Sequence, residues 1–412
     1  MKNSIMVVLT VLLAGSQWKC TSNQIQGGKN VLLVQFNGVY DFKNLRQGDI
    51  ADATEVVLKN AKEIFQNILR IDKTDRTFEN TLEKIDDIHA TIEMVWSPGY
   101  LMSSTHTDEN IRDEGLESSR KIKKYMTDLA LNKDLYNAVL YYSATDEAEN
   151  LSGYKKKYLD DTIRDFRRSG LALSDEKRNK VKALFNDLSD LGLAFSKNIA
   201  DYQDTLFLSE DEMKGLPKVY KMERVQKDGR YAVDMSYPSI GPYFKLAESD
   251  RSRKELRFRY NNRAKESNLE ILDDIIRKRD QLSTLLGYRS YAEYRTEDRM
   301  AKTPKNVWSF EKDLIAKVRK KAEADVGVML KIKSERNKEV ATKIGPWEAS
   351  YYENLVLKKD FDLDSEEVKK YFEFNNVTQG LFTIYQTLFN IRFKEVNDPS
   401  VWHDDVLMYE VF

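Results

Sequence analysis

Residues 181–206 read VKALFNDLSDLGLAFSKNIADYQDTL, and this stretch decides the fold. Its apolar side chains recur every three or four residues, at Val181, Leu184, Leu188, Leu191, Phe195, Ile199, Tyr202 and Leu206. That period belongs to an α-helix with one buried face, so the stretch predicts a helix of about 25 residues, roughly 40 Å long. No proline lies between Pro98 and Pro217 to interrupt it. We interpret the stripe as core packing between antiparallel helices, in preference to a cofactor site.

Apolar side chains also recur every three or four residues in segments before and after this stretch. Val57, Ala61, Ile64 and Ile68 form one apolar face, and weaker versions cover 76–97 and 108–132. Helices are predicted again from about 249 to 338, with breaks near Gly287 and Pro304, and from 347 to 389. Within the last block, Asp364 and Glu367 have the spacing of a capping box.

Two short segments have the alternation of β-strands. Val219–Val225 and Tyr231–Met235, joined by Asp228-Gly229, predict a hairpin near 219–235, and a terminal strand is predicted near 404–412. We therefore expect a mainly α protein, an elongated multi-helix bundle with these two β elements. The Pro- and Gly-containing connector 237–242 is the predicted boundary between an N-terminal helical domain, 24–236, and a second domain, 237–412.

Composition narrows the class of protein. The chain has 412 residues, and 66 Lys and Arg nearly balance 67 Asp and Glu, which excludes a generally basic nucleic-acid binder. Hydrophobic residues make up 41%, enough for a large core. The single cysteine, Cys20, excludes a disulfide framework and a cysteine metal site.

The first twenty residues have the pattern of an export signal. Lys2 supplies the positive start, and residues 5–14 form an apolar run too short to span a bilayer. Cys20 stands where a bacterial lipoprotein is lipidated, although Lys19 precedes it where a small residue is expected. Ordinary cleavage after residues 14–16 is the alternative. We expect the protein to be exported, and periplasmic or lipid-anchored to a bacterial envelope membrane.

Metal and phosphate sites have weak support. The loops beginning at Asp72 and Asp360 fail the EF-hand pattern at their sixth positions, Thr77 and Ser365. Residues 251–265 hold seven basic side chains and one acid, which we interpret as a solvated helix face in preference to a phosphate site. No P-loop, G-x-G-x-x-G, G-x-S-x-G or H-E-x-x-H motif is present.

Histidine is scarce, with three residues far apart in sequence, at His89, His106 and His403. His89 is expected on a helix and His106 in a polar loop. A metal site built from all three is a weak hypothesis, because zinc sites favour histidines at helical spacing.

Several segments resemble, in order, the thimet oligopeptidase family of zinc metallopeptidases, which includes oligopeptidase A and peptidyl-dipeptidase. The matching segments are 77–81 (TFENT), 165–173 (DFRRSGLAL), 191–198 (LGLAFSKN), 285–294 (LLGYRSYAEY), 299–304 (RMAKTP), Trp347 with Tyr351-Tyr352, 371–372 (YF), 380–382 (GLF), 388–389 (LF) and, most specifically, 401–406 (VWHDDV). Glu348 and Asn390 depart from the family's usual Asp and Gly.

The resemblance implies a zinc peptidase of short peptides. In that family two His and one Glu hold Zn²⁺, and the Glu of H-E-x-x-H takes a proton from the attacking water. These groups lie beyond the 401–406 motif in the family, so no catalytic or metal residue is assigned to this chain, and His403 is not expected to bind zinc.

The chain stops within the terminal strand, near 404–412, without a turn or polar tail. We interpret it as the truncated N-terminal, channel-forming part of an exported zinc-dependent oligopeptidase. It is expected to bind no zinc and to be inactive alone, with a complementing C-terminal chain as a partner. The alternative is a non-catalytic helical lipoprotein that binds peptides or a partner chain. The apolar terminal strand is also expected to expose an unpaired edge.

Overall fold

The computed structural model describes residues 30–34 and 38–412. The expected signal segment, 1–20, and the lipidation candidate Cys20 lie outside the described residues. Within them the protein is mainly α, as expected, with sixteen α-helices and two small antiparallel sheets. None of the described helices is both long and apolar enough to cross a membrane.

The helices alternate with short connections along the chain. The first eight are α1 (Asp49–Arg70), α2 (Glu83–Thr105), α3 (Glu109–Ala130), α4 (Lys133–Ser143), α5 (Asp146–Glu149), α6 (Gly153–Arg168), α7 (Asp175–Ala200) and α8 (Lys218–Met222). The others are α9 (Tyr237–Leu246), α10 (Asp250–Asn261), α11 (Lys265–Leu285), α12 (Tyr291–Thr296), α13 (Pro304–Asn337), α14 (Ala349–Phe361), α15 (Ser365–Val368) and α16 (Phe374–Phe389). Short 3₁₀ turns cover Phe42–Asn44 and Lys369–Tyr371, and a π-turn covers Phe78–Leu82.

The chain forms two compact units. The first comprises residues up to 193, 277–289 and 379–412, and the second comprises 194–276 and 290–378. The domain boundary at 237 stays a prediction.

The first unit has its core between the first helices. The predicted face of α1 is confirmed, because Val57, Ala61 and Ile68 are buried and Ile64 packs against the same core. This core also takes apolar side chains from α2, α3, α4 and α6. The helices predicted over 76–97 and 108–132 correspond to α2 and α3.

The long helix predicted from 181 ends earlier than its apolar stripe. Helix α7 stops at Ala200, and Leu206 lies instead in strand β1 (Thr205–Leu208). Strand β1 pairs antiparallel with β2 (Tyr231–Asp234), in a register that sets Leu206 opposite Val233. Pairing across more than twenty residues leaves no local pattern in sequence, so the stripe alone could not show where the helix ends.

The predicted first arm of the hairpin near 219–235 is wrong over most of its length, and only Val225 pairs, in an isolated antiparallel bridge with Tyr231. Residues Lys218–Met222 form α8 after Pro217, and Tyr220 is buried with its hydroxyl donating to Ser239 O at 2.6 Å. The Asp-Gly turn itself is present, since Gly229 has a φ of 81° and its N–H donates to Gln226 O at 3.0 Å. Burial of Tyr220 overrides the strand propensity of Val219.

The connector predicted at 237–242 is the start of helix α9. Pro238 stands in the first turn, where its missing N–H costs nothing, and α9 packs Ile240, Tyr243 and Phe244 into the core of the second unit. The core of this unit also receives Leu208, Val233 and Leu256. Burial raises the pKa of Tyr243 to about 12.

The terminal strand is present but short. Strand β4 (Tyr409–Val411) pairs antiparallel with β3 (Phe393–Glu395), so one of its edges is occupied. Phe382 of α16 stacks on Phe393 at 4.5 Å and meets Tyr409 edge-on at 4.7 Å. One edge of β4 is therefore paired with β3, and the ring of Tyr409 packs on Phe382.

Candidate functional site

One motif segment of the second unit, Trp347 with Tyr351-Tyr352, lies beside a buried arginine. Arg253 on α10 is 1% exposed, and its guanidinium donates to Ala247 O and, at 3.1 Å, to Asp250 Oδ1. The same group lies 4.1 Å from the ring centroid of Tyr351 on α14. Trp347 Nε1 donates to Asp250 Oδ1 at 2.9 Å. Asp250 thus joins α10 to the start of α14, and the arginine stacks between them.

Three other arginines of the basic stretch 251–265 contact aromatic rings or carboxylates of the same chain. Arg257 lies 4.0 Å from the ring centroid of Phe244, and Arg263 lies 3.9 Å from that of Tyr260. Arg259 donates to Glu255 at 2.7 Å and to Asp204 at 3.0 Å. The interpretation of this stretch as a solvated face is therefore wrong for Arg253 and incomplete for Arg257, Arg259 and Arg263, because aromatic rings or carboxylates lie against these guanidinium groups. A phosphate site has no support here.

Glu348, which departs from the family's usual Asp, has a structural role. It is 4% exposed, and Lys333 Nζ of α13 lies 2.7 Å from its carboxylate. Gly345 N also donates to it, at 2.7 Å. The longer side chain therefore still reaches a cation and a backbone donor, so the departure is tolerated.

Other motif segments begin or end helices. Thr77 and Asn80 cap each other's backbone N–H groups, and Phe78 enters the core of the first unit. Thr303 caps α13 by accepting from Asn306 N at 3.2 Å, and Pro304 follows in the first turn. These residues specify where helices start, which is an architectural role.

Gly170 shows why the DFRRSGLAL segment contains a glycine. Its φ is 97°, and a Cβ there would lie 3.0 Å from Leu286 and 3.1 Å from Leu173. A larger residue would be strained by the left-handed backbone conformation, and its Cβ would crowd Leu286 and Leu173, so glycine is favoured here.

The 401–406 motif packs against the N-terminal part of the first unit. The ring centroids of Trp402 and Phe42 are 5.3 Å apart and nearly perpendicular. Ser400 Oγ donates to Asp41 Oδ1 at 2.6 Å, and these hydrogen bonds from Ser400 and Asn44 lower the pKa of Asp41. Lys43 Nζ forms a 2.7 Å ion pair with Asp398.

The three histidines have local roles. His89 lies on an exposed position of α2. His106 Nδ1 accepts from Asp108 N at 3.0 Å beyond the end of that helix. His403 Nδ1 likewise accepts from Asp405 N at 3.2 Å. Both of these are turn contacts within the chain.

The described residues do not fit a zinc ion. In residues 30–34 and 38–412, no group of three or more His, Cys, Asp or Glu side chains could hold a metal ion. The hypothesis of a three-histidine site therefore has no support in this part of the chain. The expectation that the chain alone binds no zinc stays a prediction.

Exposed apolar helix faces are the feature that sequence reasoning missed. Most of the large apolar side chains that are exposed in the described part of the chain follow residue 300, and many of them lie on α13 and α16. The stripe of α13, at Val307, Phe310, Leu314 and Val318, was available in sequence. We interpreted such stripes as packed core, and periodicity alone does not show whether a partner covers the face.

Comparison with known proteins shows what the chain is similar to. Residues 243–412 match the model of peptidase family M3. Thimet-like oligopeptidase of Dictyostelium discoideum is 29% identical over 370 residues, which are 86% of this chain and 55% of the relative. Saccharolysin of Saccharomyces cerevisiae is 28% identical over 380 residues, 88% of this chain and 53% of the relative. Oligopeptidase A of Escherichia coli is 24% identical over 400 residues, 93% of this chain and 58% of the relative.

The relatives that these matches name are oligopeptidases. Residues 243–412 are similar to peptidase family M3, a family of zinc-dependent peptidases, and this similarity confirms the resemblance carried by the motif segments. The chain spans about half the length of the curated relatives it matches.

Proposed function

We propose that this chain is the helical, channel-forming part of a zinc-dependent oligopeptidase that hydrolyses short peptides. Hydrolysis requires the remaining half of the family's length as well. The observation that carries this proposal is the family match together with its coverage, since about half of each relative has no counterpart here. In the family, the metal, the general base and the oxyanion donors lower the barrier to attack on an amide.

The direct test uses the purified chain. Zinc is measured by elemental analysis, and hydrolysis of internally quenched peptides is followed with and without a chelator. We expect zinc far below one equivalent and no chelator-sensitive hydrolysis. Zinc near one equivalent, with hydrolysis abolished by the chelator, would show that this chain carries a complete site. In addition, the DNA following the coding sequence should encode H-E-x-x-H in some frame, and unrelated sequence there would contradict the proposal.

A second function is a non-catalytic peptide-binding lipoprotein. Its support is that both units keep packed cores, including the Arg253 cluster, with motif residues intact. It predicts that the soluble chain binds peptides by calorimetry in the presence of chelator. Aggregation on expression, or no binding, would count against it.

Export and lipid anchoring are part of both proposals and rest on the sequence around Cys20. Labelling of cells with a fatty-acid analogue should mark the wild-type protein and not Cys20→Ser. Equal labelling of both, or a protein found only in the cytoplasm, would contradict an anchor at Cys20. No nucleic-acid partner is proposed, because the formal charge is −1.

A further inference from the structure

Most of helix α13 has no covering element. Every residue from 305 to 328 is exposed, whereas the C-terminal turns of the helix pack on α14 around Ile332, Tyr351 and Tyr352. Helices gain most of their stability from packing an apolar face against a neighbour. Most of this helix therefore has no packing partner among the residues that the structure describes.

The exposed part of α13 is strongly two-sided. At 100° per residue its large apolar side chains fall within about half of the circumference. They are Val307, Trp308, Phe310, Leu314, Ile315, Val318, Val326 and Val328. Trp308 is 64% exposed and Phe310 is 65% exposed. The opposite side carries Ser309, Ala316 and Lys320. Burial of one such apolar side chain contributes about 1.5–3 kcal/mol, so this face has a large unused capacity for association.

Helix α16 also has an exposed apolar face. Its sixteen residues include no charged side chain, and Phe382 turns into the aromatic group with Phe393 and Tyr409. Another side of the helix exposes Val377, Leu381, Ile384, Tyr385 and Leu388. Contiguous apolar surfaces of this kind mark binding sites on soluble proteins.

We infer that the apolar face of α13, in the second unit, and the apolar face of α16, in the first unit, are two separate docking surfaces for the polypeptide that carries the remaining half of the family's length. The inference rests on the proposed function. Both helices lie within the family match, so these faces belong to the family's fold. The relatives supply about as many further residues as this chain aligns with, which is enough to cover both faces.

The charges on the two helices favour a protein over a lipid surface. Glu311 falls inside the apolar arc of α13, where an anionic membrane would repel it, whereas Asp325 in the same arc is already paired with Lys321. Helix α16 offers no cation to lipid headgroups. The partner should therefore present apolar side chains with a basic or donor group opposite Glu311.

A matched pair of variants separates the two sides of α13. Leu314→Glu with Val318→Glu places two charges on the apolar face. Ser309→Glu with Ala316→Glu places the same two charges on the opposite side of the same helix. All four positions are exposed, so neither pair should change the helical content or melting of the isolated chain.

The experiment co-expresses each version of the full chain with the polypeptide encoded by the DNA that follows its coding sequence. We expect the wild type and the Ser309/Ala316 pair to co-purify with that polypeptide and to give chelator-sensitive hydrolysis. The Leu314/Val318 pair should bind it roughly tenfold more weakly or worse. A Leu381→Lys variant with Thr383→Lys as its control tests α16 in the same way.

The other outcomes are distinct. Equal co-purification and hydrolysis for all versions overturns both docking surfaces and leaves the proposed function standing. No hydrolysis with any version, although the second polypeptide is folded and holds zinc, overturns the proposed function. Binding to vesicles of equal parts phosphatidylcholine and phosphatidylglycerol, lost only in the Leu314/Val318 pair, makes the face a membrane surface. A dimer by sedimentation, lost in the same pair, makes the occupant a second copy.

Discussion

The hydroxyl of Tyr40 donates a 2.8 Å hydrogen bond to the carbonyl of Met94. That carbonyl lies four residues before Pro98, which stands inside α2 and has no N–H to offer it. Tyr40 therefore supplies the hydrogen bond that the helix loses at its proline. The helix continues through Pro98 to Thr105 because this carbonyl has another donor.

Replacing Tyr40 by Phe should destabilise the first unit. The substitution keeps the ring and removes the donor to a partly buried carbonyl, so we expect a loss of about 1–2 kcal/mol in the free energy of unfolding. Tyr100→Phe, on an exposed part of the same helix, is the control and should change it little. Urea unfolding followed by circular dichroism measures both. Equal stability of the two variants would show that water serves Met94 as well as Tyr40 does.

Patterns of neighbouring residues in the sequence predicted much of the first unit but not the hydrogen bond from Tyr40 to Met94. The face of α1 and the capping role at Thr77 follow from neighbours in sequence. The bond from Tyr40 to Met94 joins groups 54 residues apart, and nothing in either segment announces it. A proline inside an apolar helical pattern only says that one carbonyl needs a donor from elsewhere.

Gly115 allows α2 and α3 to approach closely. A Cβ at Gly115 would lie 2.4 Å from Gly99 O and 3.0 Å from Ser103 Cβ. Gly115→Ala should therefore cost roughly 1–3 kcal/mol, because backbone must move to admit the methyl group. Gly192→Ala is the matched control in α7, where a Cβ meets nothing within 4 Å, and it should stabilise by about 0.5–1 kcal/mol. Thermal unfolding of both variants measures the difference, and effects of the same sign would contradict the close approach.

Arg253 shows why composition was a poor guide to the second unit. Seven basic residues within 251–265 indicated a solvated face, because basic side chains are rarely buried alone. Contacts with Tyr351 and Asp250 offset the desolvation cost of burying the guanidinium of Arg253. Tyr351 lies almost a hundred residues away in sequence. The same limit applies to the exposed face of α13. Its apolar stripe is visible in the sequence, but the sequence does not show that the stripe is exposed.

Arg253→Lys should weaken the second unit. An ammonium cannot donate in one plane to both Ala247 O and Asp250 while stacking on Tyr351, so we expect a loss of about 1–3 kcal/mol. Arg251→Lys, on an exposed neighbour, should change stability by less than about 0.5 kcal/mol. Hydrogen exchange of peptides from α9, α10 and α14 measures the local effect. Unchanged protection in Arg253→Lys would mean that charge alone, without planar geometry, holds this cluster.

Glu212 ties the loop after β1 to helix α10. It accepts from Ser209 N and Ser209 Oγ at 3.0 Å and from Ser252 Oγ at 2.7 Å. Burial acts to raise the pKa of Glu212, but these hydrogen bonds and the charge of Arg251 outweigh it and leave the pKa below its ordinary value of 4.5. The ionised carboxylate is therefore favoured in the folded state over the unfolded chain.

This lowered pKa fixes the sign of a pH effect. The contribution of Glu212 to stability is fully present above its ordinary pKa and is lost as pH falls through the lower folded value. Glu212→Gln should thus be less stable than the wild type by about 1 kcal/mol near neutral pH, and the gap should close below about pH 4. Ser252→Ala, which removes one donor, should give a smaller gap with the same dependence. Urea unfolding at a series of pH values measures all three proteins. A gap that stays constant into acid would mean that Glu212 acts through packing, because a carboxylate held by hydrogen bonds must lose its advantage once it is protonated.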